Sequence, residues 1–239
     1  MHIQPKQTLN WIHPFKTFIA SCDSFATEFN LDDVDASLIA EYAKIPNNQS
    51  LADFIRPKKI AKLERIFLKS AGLPLRGLLR TKPLFIINLL TEKILTEDNS
   101  IAMDSELHQL AQQLEKECTG IETFAEQLVV LNKIPMAYQV KSLLKIGKNI
   151  NQFRKGLKQM FTVYETRDVQ KIHKIAKKGA GSMRKLMLYR RNQIMADRIF
   201  EKIYKKSIFC AIGAGHLGGK QGVLRLLKLK GFTVKPVHY

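Results

Sequence analysis

The sequence predicts an α/β fold, with a mostly parallel sheet from the N- and C-terminal segments and a large helical middle region. Short apolar or aromatic segments alternate with helical segments along the chain, which is typical of parallel strand–helix–strand units. Residues 207–213 (SIFCAIG) form a continuous apolar run, as expected for a strand that is covered on both faces.

Four segments are predicted to be strands. Residues 24–31 mix aromatic and small side chains and stop at an acidic turn, and residues 118–122 end just before a helix. The third strand is the apolar run at 207–213, and residues 232–238 close the chain after a glycine. Helical segments lie between these strands, which favours a parallel α/β sheet.

The middle of the chain carries the 3.6-residue periodicity of amphipathic helices. One predicted helix runs unbroken over residues 146–164, where apolar residues trace a single face. The other predicted helices cover residues 35–45, 58–70, 84–95, 105–116, the segment that begins at 123, the segment from 169 to the glycines at 179–181, 188–203 and 223–230.

The chain is expected to fold as one domain over residues 1–239. Its α/β core is predicted from three segments and its helical insertions from two: the core at about 1–35, 100–135 and 185–239, and the insertions at about 36–99 and 136–184.

The net charge of +18 is concentrated in one segment. Residues 1–140 carry 15 basic and 17 acidic side chains, whereas residues 141–206 carry 19 basic and 4 acidic ones. Such an excess suggests a polyanionic partner. The basic residues are spread over amphipathic helices with few aromatic residues among them, so a nucleic-acid interface is not favoured over a solvated helix face.

The remaining composition indicates an ordinary globular protein of a reducing compartment. Three cysteines without close spacing do not predict a disulfide framework. The first residues lack the apolar segment of a signal peptide, and no apolar run reaches the roughly 18 residues of a membrane span. As written, the sequence therefore predicts a cytoplasmic chain without a membrane span, and it does not predict an oligomeric state.

A glycine-rich turn, Gly213-Ala-Gly-His-Leu-Gly-Gly219, directly follows the apolar strand. Ligands of open parallel sheets bind at the carboxyl ends of strands, and glycines at such a turn let a ligand approach the backbone. The turn also fits G-x-G-x-x-G, but the acidic residue expected about 20 positions later is absent, so a dinucleotide site is not favoured. His216 on this turn is either a metal ligand or general base, or an incidental side chain.

Three further residues are candidates for a catalytic or ligand-binding role. Glu28 lies inside a predicted buried strand, where a carboxylate needs a metal or an ion-pair partner. Glu122 ends a weaker strand and could be structural. Asn192 falls within the apolar stripe of its helix, so its amide either orients a ligand or catalytic group or binds a loop carbonyl.

Several motifs, in this order and spacing, resemble the TraB/GumN family, which includes the Tiki proteases. They are Cys22-Asp-Ser-Phe-Ala-Thr-Glu28, Met103-Asp-Ser-Glu-Leu-His-Gln-Leu-Ala111, Gly120-Ile-Glu-Thr-Phe-Ala-Glu-Gln127, Arg191-Asn-Gln-Ile-Met-Ala196 and Gly213-Ala-Gly-His-Leu-Gly218. The resemblance implies a metal-dependent hydrolase with two G-x-x-H motifs, a glutamate and an Arg-Asn pair.

The resemblance also assigns roles to residues of this chain. His2, Glu28 and His216 would bind a divalent metal, namely Mn, Co or Zn. Glu28, Glu122, Arg191 and Asn192 would be the catalytic set, with Arg191 stabilising an oxyanion and Glu122 acting as a base or supporting residue. Gly213 and Gly215 would contact a peptide or protein substrate, and the reaction implied is amide hydrolysis.

Two departures from the family pattern are visible. His2 stands where the N-terminal motif would end, so we expect the preceding strand and its Gly-Thr to lie upstream of Met1, and an active site to need them. Arg190 stands where the family usually has a glutamate. A noncatalytic peptide-binding or regulatory protein of the same family is the alternative function.

Overall fold

The computed structural model describes residues 3–5, 12–96 and 100–237. It confirms the α/β fold with a large helical region. The strands are β1 (Ile3–Pro5), β2 (Ser24–Phe29), β3 (Ser100–Ala102), β4 (Glu117–Glu122) and β5 (Ile208–Ala211). The helices are α1 (Ile12–Ala20), α2 (Ala36–Ala43), α3 (Pro57–Ala71), α4 (Pro83–Thr96), α5 (Met103–Gln113), α6 (Phe124–Asn132), α7 (Met136–Lys148), α8 (Ile150–Glu165), α9 (Val169–Ala180), α10 (Arg190–Ile203) and α11 (Val223–Leu229).

Three of the predicted strands form one all-parallel sheet in the order β4–β2–β5, and β1 pairs with β3 separately. The register pairs Phe29 with Glu122 and Thr27 with Ala211. Because all three strands run the same way, their carboxyl ends lie at one edge of the sheet.

Apolar side chains cover both faces of this sheet, as the unbroken apolar run of β5 predicted. On one face Phe25 packs with Ile19 of α1 and Leu107 of α5. On the other face Ala26 packs with a cluster from β4, α10 and α11: Ile121, Met195, Ile199 and Val223. The α10 stripe places Asn192 next to Met195 on the buried side of that helix.

The chain divides into two compact units. The first contains the three-stranded sheet and comprises residues 1–34, 101–130 and 160–239. The second comprises residues 35–100 and 131–159, and α3, α4 and α7 pack together within it.

Two predicted elements are wrong. Residues 232–237 form no strand: most of them are exposed, none pairs with a described strand, and Phe232 packs instead against the ring of Phe200. The single helix over residues 146–164 is broken at Asn149, which separates α7 from α8. Its side-chain oxygen accepts a hydrogen bond from the Gln152 N–H, so the amide caps α8 and competes with helix continuation.

Candidate functional site

A cluster of polar side chains lies at the carboxyl ends of the three parallel strands. Glu28 is next to last in β2, Glu122 is the last residue of β4, and Gly213 follows β5 by two residues. Glu28 and Glu122 are 8% and 4% exposed, so both carboxylates need partners within the protein.

Arg191 of α10 is the common partner of both carboxylates. Its Nη2 donates to Glu28 Oε2 at 2.7 Å and to Glu122 Oε2 at 2.6 Å, and its Nε donates to both oxygens of Glu122. Burial by itself would lower the pKa of Arg191, but the hydrogen bonds and charges of Glu122 and Glu28 outweigh it and raise the pKa above its ordinary value. The guanidinium therefore stays charged.

Two further donors hold the Glu28 carboxylate in place. The backbone N–H of Gly213 donates to Oε1 at 2.8 Å. Gln127 of α6 donates through Nε2 to Oε2 of Glu28 at 3.2 Å and also to Oε2 of Glu122 at 3.3 Å. Each oxygen of Glu28 therefore has a defined direction, with Oε2 towards Arg191 and Oε1 towards the glycine-rich turn.

The protonation pattern of the neutral His216 ring follows from the orientation of Asn192. The Asn192 Nδ2 donates to the Gln221 carbonyl at 2.6 Å, so its Oδ1 is the atom that lies 2.6 Å from His216 Nδ1. An oxygen accepts, so Nδ1 of His216 must carry the proton and Nε2 is the unprotonated nitrogen. That Nε2 lies 3.9 Å from Glu28 Oε1 and 3.4 Å from Arg191 Nη1.

The glycines of the turn meet other parts of the protein closely. A Cβ atom on Gly215 would lie 2.8 Å from the Cβ of Ala176, and one on Gly218 would lie 2.7 Å from the Val169 carbonyl oxygen. Gly219 has a φ of +83°, which disfavours any other residue. Close packing against α9 therefore requires glycine at Gly215 and Gly218, and the contact of Gly213 and Gly215 with a substrate stays a prediction.

The predicted site residues divide into two groups. Glu28, Glu122, Arg191, Asn192 and His216 come together in one contact network, and Gly213 joins it through its N–H. His2, the third predicted metal ligand, lies outside the described residues.

The donor set of Glu28 and His216 is chemically suited to a divalent metal. A carboxylate and an imidazole with an unprotonated Nε2 are ligands that Zn, Mn and Co accept. Within the described parts of the chain, however, no group of three His, Cys, Asp or Glu side chains is placed to hold a metal ion. The described residues thus include two of the three predicted metal ligands, Glu28 and His216.

Two polar residues that support the site, Gln127 and His173, were not predicted from the sequence. Gln127 follows the predicted helix start at Thr123 by one turn, so its position beside the strand end could have suggested contact with Glu28. His173 of α9, 8% exposed, lies 2.9 Å through Nδ1 from the Gly215 carbonyl oxygen. It was one polar residue on a predicted apolar helix face, which was its only signal.

The fold and the motifs can now be compared with known proteins. The model of the TraB/PrgY/gumN family matches residues 1–236. The chain belongs to the TraB/PrgY/gumN family. This confirms the resemblance inferred from the sequence motifs. No curated protein and no solved structure matches the chain.

Among the helices of residues 12–96 and 100–237, none combines the length and the apolar character that crossing a membrane requires.

Proposed function

We propose that this TraB/PrgY/gumN chain is a metal-dependent hydrolase of amide bonds, with its site at the carboxyl ends of β2, β4 and β5. The observation that supports it most is the proximity of two metal-ligating atoms, Glu28 Oε1 and the unprotonated Nε2 of His216, which lie 3.9 Å apart. Asn192 fixes this tautomer, which is how proteins commonly prepare an imidazole for a metal.

The charge of the cluster favours the same proposal. Two carboxylates, Glu28 and Glu122, share one guanidinium, Arg191, which leaves a formal charge of −1 on these three residues. Their side chains are at most 14% exposed, so water compensates this charge poorly. A cation beside Glu28 and His216 would balance it.

Each side chain has a distinct part in the proposed reaction. Glu28 and His216, together with the predicted His2, would hold the metal, which when bound supplies an acidified water and a polarised carbonyl. Arg191 would stabilise the negative charge that develops on the carbonyl oxygen. Glu122 would hold Arg191 through the hydrogen bonds that it accepts, and Gln127 would hold Glu28 beside Glu122, since it donates to both carboxylates.

A cavity next to the cluster offers space for a substrate. Its volume is about 230 Å³, it lies against β5, and it extends to Gly213 and Ala214 at the turn that carries His216. Its walls are mainly apolar, with Phe15, Leu107 and Phe209 among them. An apolar side chain of a peptide would fit such a surface.

Turnover of peptides tests the proposal. The metal-free protein is supplied with Mn²⁺, Co²⁺ or Zn²⁺ and mixed with a library of internally quenched peptides. We expect cleavage with at least one metal, and a loss of about 100-fold or more in Glu28→Gln and His216→Ala. Glu117→Gln, which alters a carboxylate at the opposite end of β4, is the matched control and should retain activity.

A noncatalytic peptide-binding or regulatory protein is the second candidate function. It is favoured by the completeness of the network, because Arg191 already provides both carboxylates with hydrogen bonds and charge. Saturable binding of a library peptide, with neither metal uptake nor cleavage, would support this candidate and contradict the hydrolase.

A further inference from the structure

Helix α9 touches the glycine-rich turn along its length. Gln170 accepts a hydrogen bond through Oε1 from the Gly219 N–H at 3.0 Å. One turn later, His173 Nδ1 lies 2.9 Å from the Gly215 carbonyl oxygen, and since a carbonyl only accepts, this nitrogen is the donor. Ala176, a further turn along, faces the Cα of Gly215 so closely that a Cβ there would lie 2.8 Å away.

A second helix, α10, also contacts the same turn. Asn192 donates to the Gln221 carbonyl and accepts from His216 Nδ1. The turn from Gly213 to Gly222 is therefore held by two helices, and in the sequence His216 lies between the α9 contacts at Gly215 and Gly219. A shift of the turn away from either helix would change the 2.6 Å contact that fixes the His216 tautomer.

The geometry points to α9 as the positioning element of the site, with Gln170, His173 and Ala176 as positioning residues for His216. They set where the turn lies, and Asn192 then sets which nitrogen of His216 carries the proton. This role rests on the proposed function for its use in hydrolysis, but the effect on the His216 ring exists without metal or substrate.

The close approach of Gly215 to Ala176 gives a paired test. In Gly215→Ala the new methyl group displaces the turn from α9, and in Gly215→Ala with Ala176→Gly the space is restored. The protein carries ¹⁵N-labelled histidine, and two-bond ¹H–¹⁵N spectra recorded without metal identify the protonated ring nitrogen; His216→Gln assigns the signal.

The position of the His216 proton should differ between the variants. In the parent protein we expect His216 to be protonated at Nδ1. Gly215→Ala shifts the signal towards a mixture of both tautomers, and the added Ala176→Gly returns it. Gly156→Ala is the matched control, because a Cβ there meets nothing within 4 Å, and it should leave the signal unchanged.

Two side-chain variants test the hydrogen bonds separately. His173→Asn keeps a donor near the Gly215 carbonyl and should preserve the His216 signal, whereas His173→Leu should shift it. The exposed Gln170 gives a milder variant, Gln170→Met, which should shift the signal in the same direction while the fold is retained. An unchanged His216 signal in Gly215→Ala and in Gln170→Met would overturn the role of α9.

The outcome is independent of the hydrolase proposal. If the spectra behave as expected and no metal supports cleavage, α9 still positions His216 but the proposed reaction is wrong. If the protein cleaves peptides, Gly215→Ala should lower kcat more than it raises KM, and Ala176→Gly should restore kcat. Cleavage that stays lost in the double variant would show that Gly215 contacts substrate directly, which overturns the packing role.

Discussion

The two ends of the three-stranded sheet place similar charged groups in opposite surroundings. At the amino end, Glu117 of β4 pairs with Lys206, and these side chains are 61% and 38% exposed. At the carboxyl end of the same strand, Glu122 pairs with Arg191, and their exposures are 3% and 14%. The same strand thus carries a solvated ion pair at one end and a desolvated one at the other.

This difference shows why only one end is a candidate site. Water and salt weaken the attraction within a solvated ion pair, so such a pair does little to fix the positions of neighbouring groups. In a desolvated cluster each charge depends on its hydrogen-bond and charge partners, so the residues are fixed in position, and an excess of one charge makes the cluster respond strongly to an added ion of the opposite sign. Substitutions at the carboxyl end should therefore change stability more than matched substitutions at the amino end.

Removal of the guanidinium at the carboxyl end should have the largest effect. Arg191→Met removes the guanidinium that Glu28 and Glu122 share at a buried site, so we expect the free energy of unfolding to fall by about 3–5 kcal/mol in urea denaturation. The matched change at the amino end, Lys206→Met, should leave it within the error of that measurement. Equal effects at the two ends would contradict the comparison.

Loss of the Asn192 amide should cause the second-largest decrease in the free energy of unfolding. Asn192 is fully buried, and Asn192→Leu removes the partners of the Gln221 carbonyl and of His216 Nδ1. Leaving these groups unpaired should cost about 1–3 kcal/mol of unfolding free energy, measured by chemical denaturation. Gln193→Leu, on the exposed side of the same helix, is the control, and a similar loss there would count against this account.

The Arg198–Glu126 ion pair at the edge of the cluster should make an intermediate contribution to the free energy of unfolding. Arg198 pairs with Glu126 of the capping box at Thr123, and its hydrogen bonds lower the Glu126 pKa from its ordinary 4.5 to about 2. A carboxylate with a lowered pKa stabilises the fold above its ordinary pKa, and this contribution is lost as the pH falls through about 2. Both side chains exceed one third exposure, so the contribution is only about 0.5–1 kcal/mol.

Arg198→Met checks this directly. The Glu126 pKa, followed by carbon NMR, should rise towards its ordinary value, and the acid-induced loss of stability should become smaller. A Glu126 pKa that stays near 2 in this variant would show that another group lowers it.

The smallest effect is expected at the amino end. The Ser207 hydroxyl and backbone N–H both donate to Asp23, and these hydrogen bonds lower the pKa of this exposed carboxyl. Ser207→Ala should raise the Asp23 pKa part of the way back, with the thermal midpoint almost unchanged. A large drop in the midpoint would mean that this end also depends on a fixed network.

The local sequence pattern was enough to predict the strands of the sheet but not which segments pair with one another. The residues of β2 and β5 have the apolar or aromatic character of buried strands, whereas β4 (ECTGIE) has a weaker pattern, and all three were predicted close to their observed bounds. The strand at 232–238 was wrong because a strand depends on a neighbour with free backbone groups, which a local pattern does not reveal. The break at Asn149 depended on one side chain that competes with the backbone.

The site was predicted in part. Family motifs placed Glu28, Arg191, Asn192 and His216 together, and the described contacts connect them. The charge sharing by Arg191 and the amide orientation of Asn192 depend on residues 69 and 29 positions away in the chain, so no local pattern could show them. The contact of His173 with the turn likewise requires the packing of α9.

Calorimetric titration of the metal-free protein with Mn²⁺ tests whether the carboxyl end of the sheet binds a cation. The account predicts one site of defined affinity that is lost in Glu28→Gln and in His216→Ala and retained in Glu117→Gln. Absence of binding by the parent protein, or equal binding by all three variants, would contradict the assignment of the carboxyl end of the sheet as a cation site.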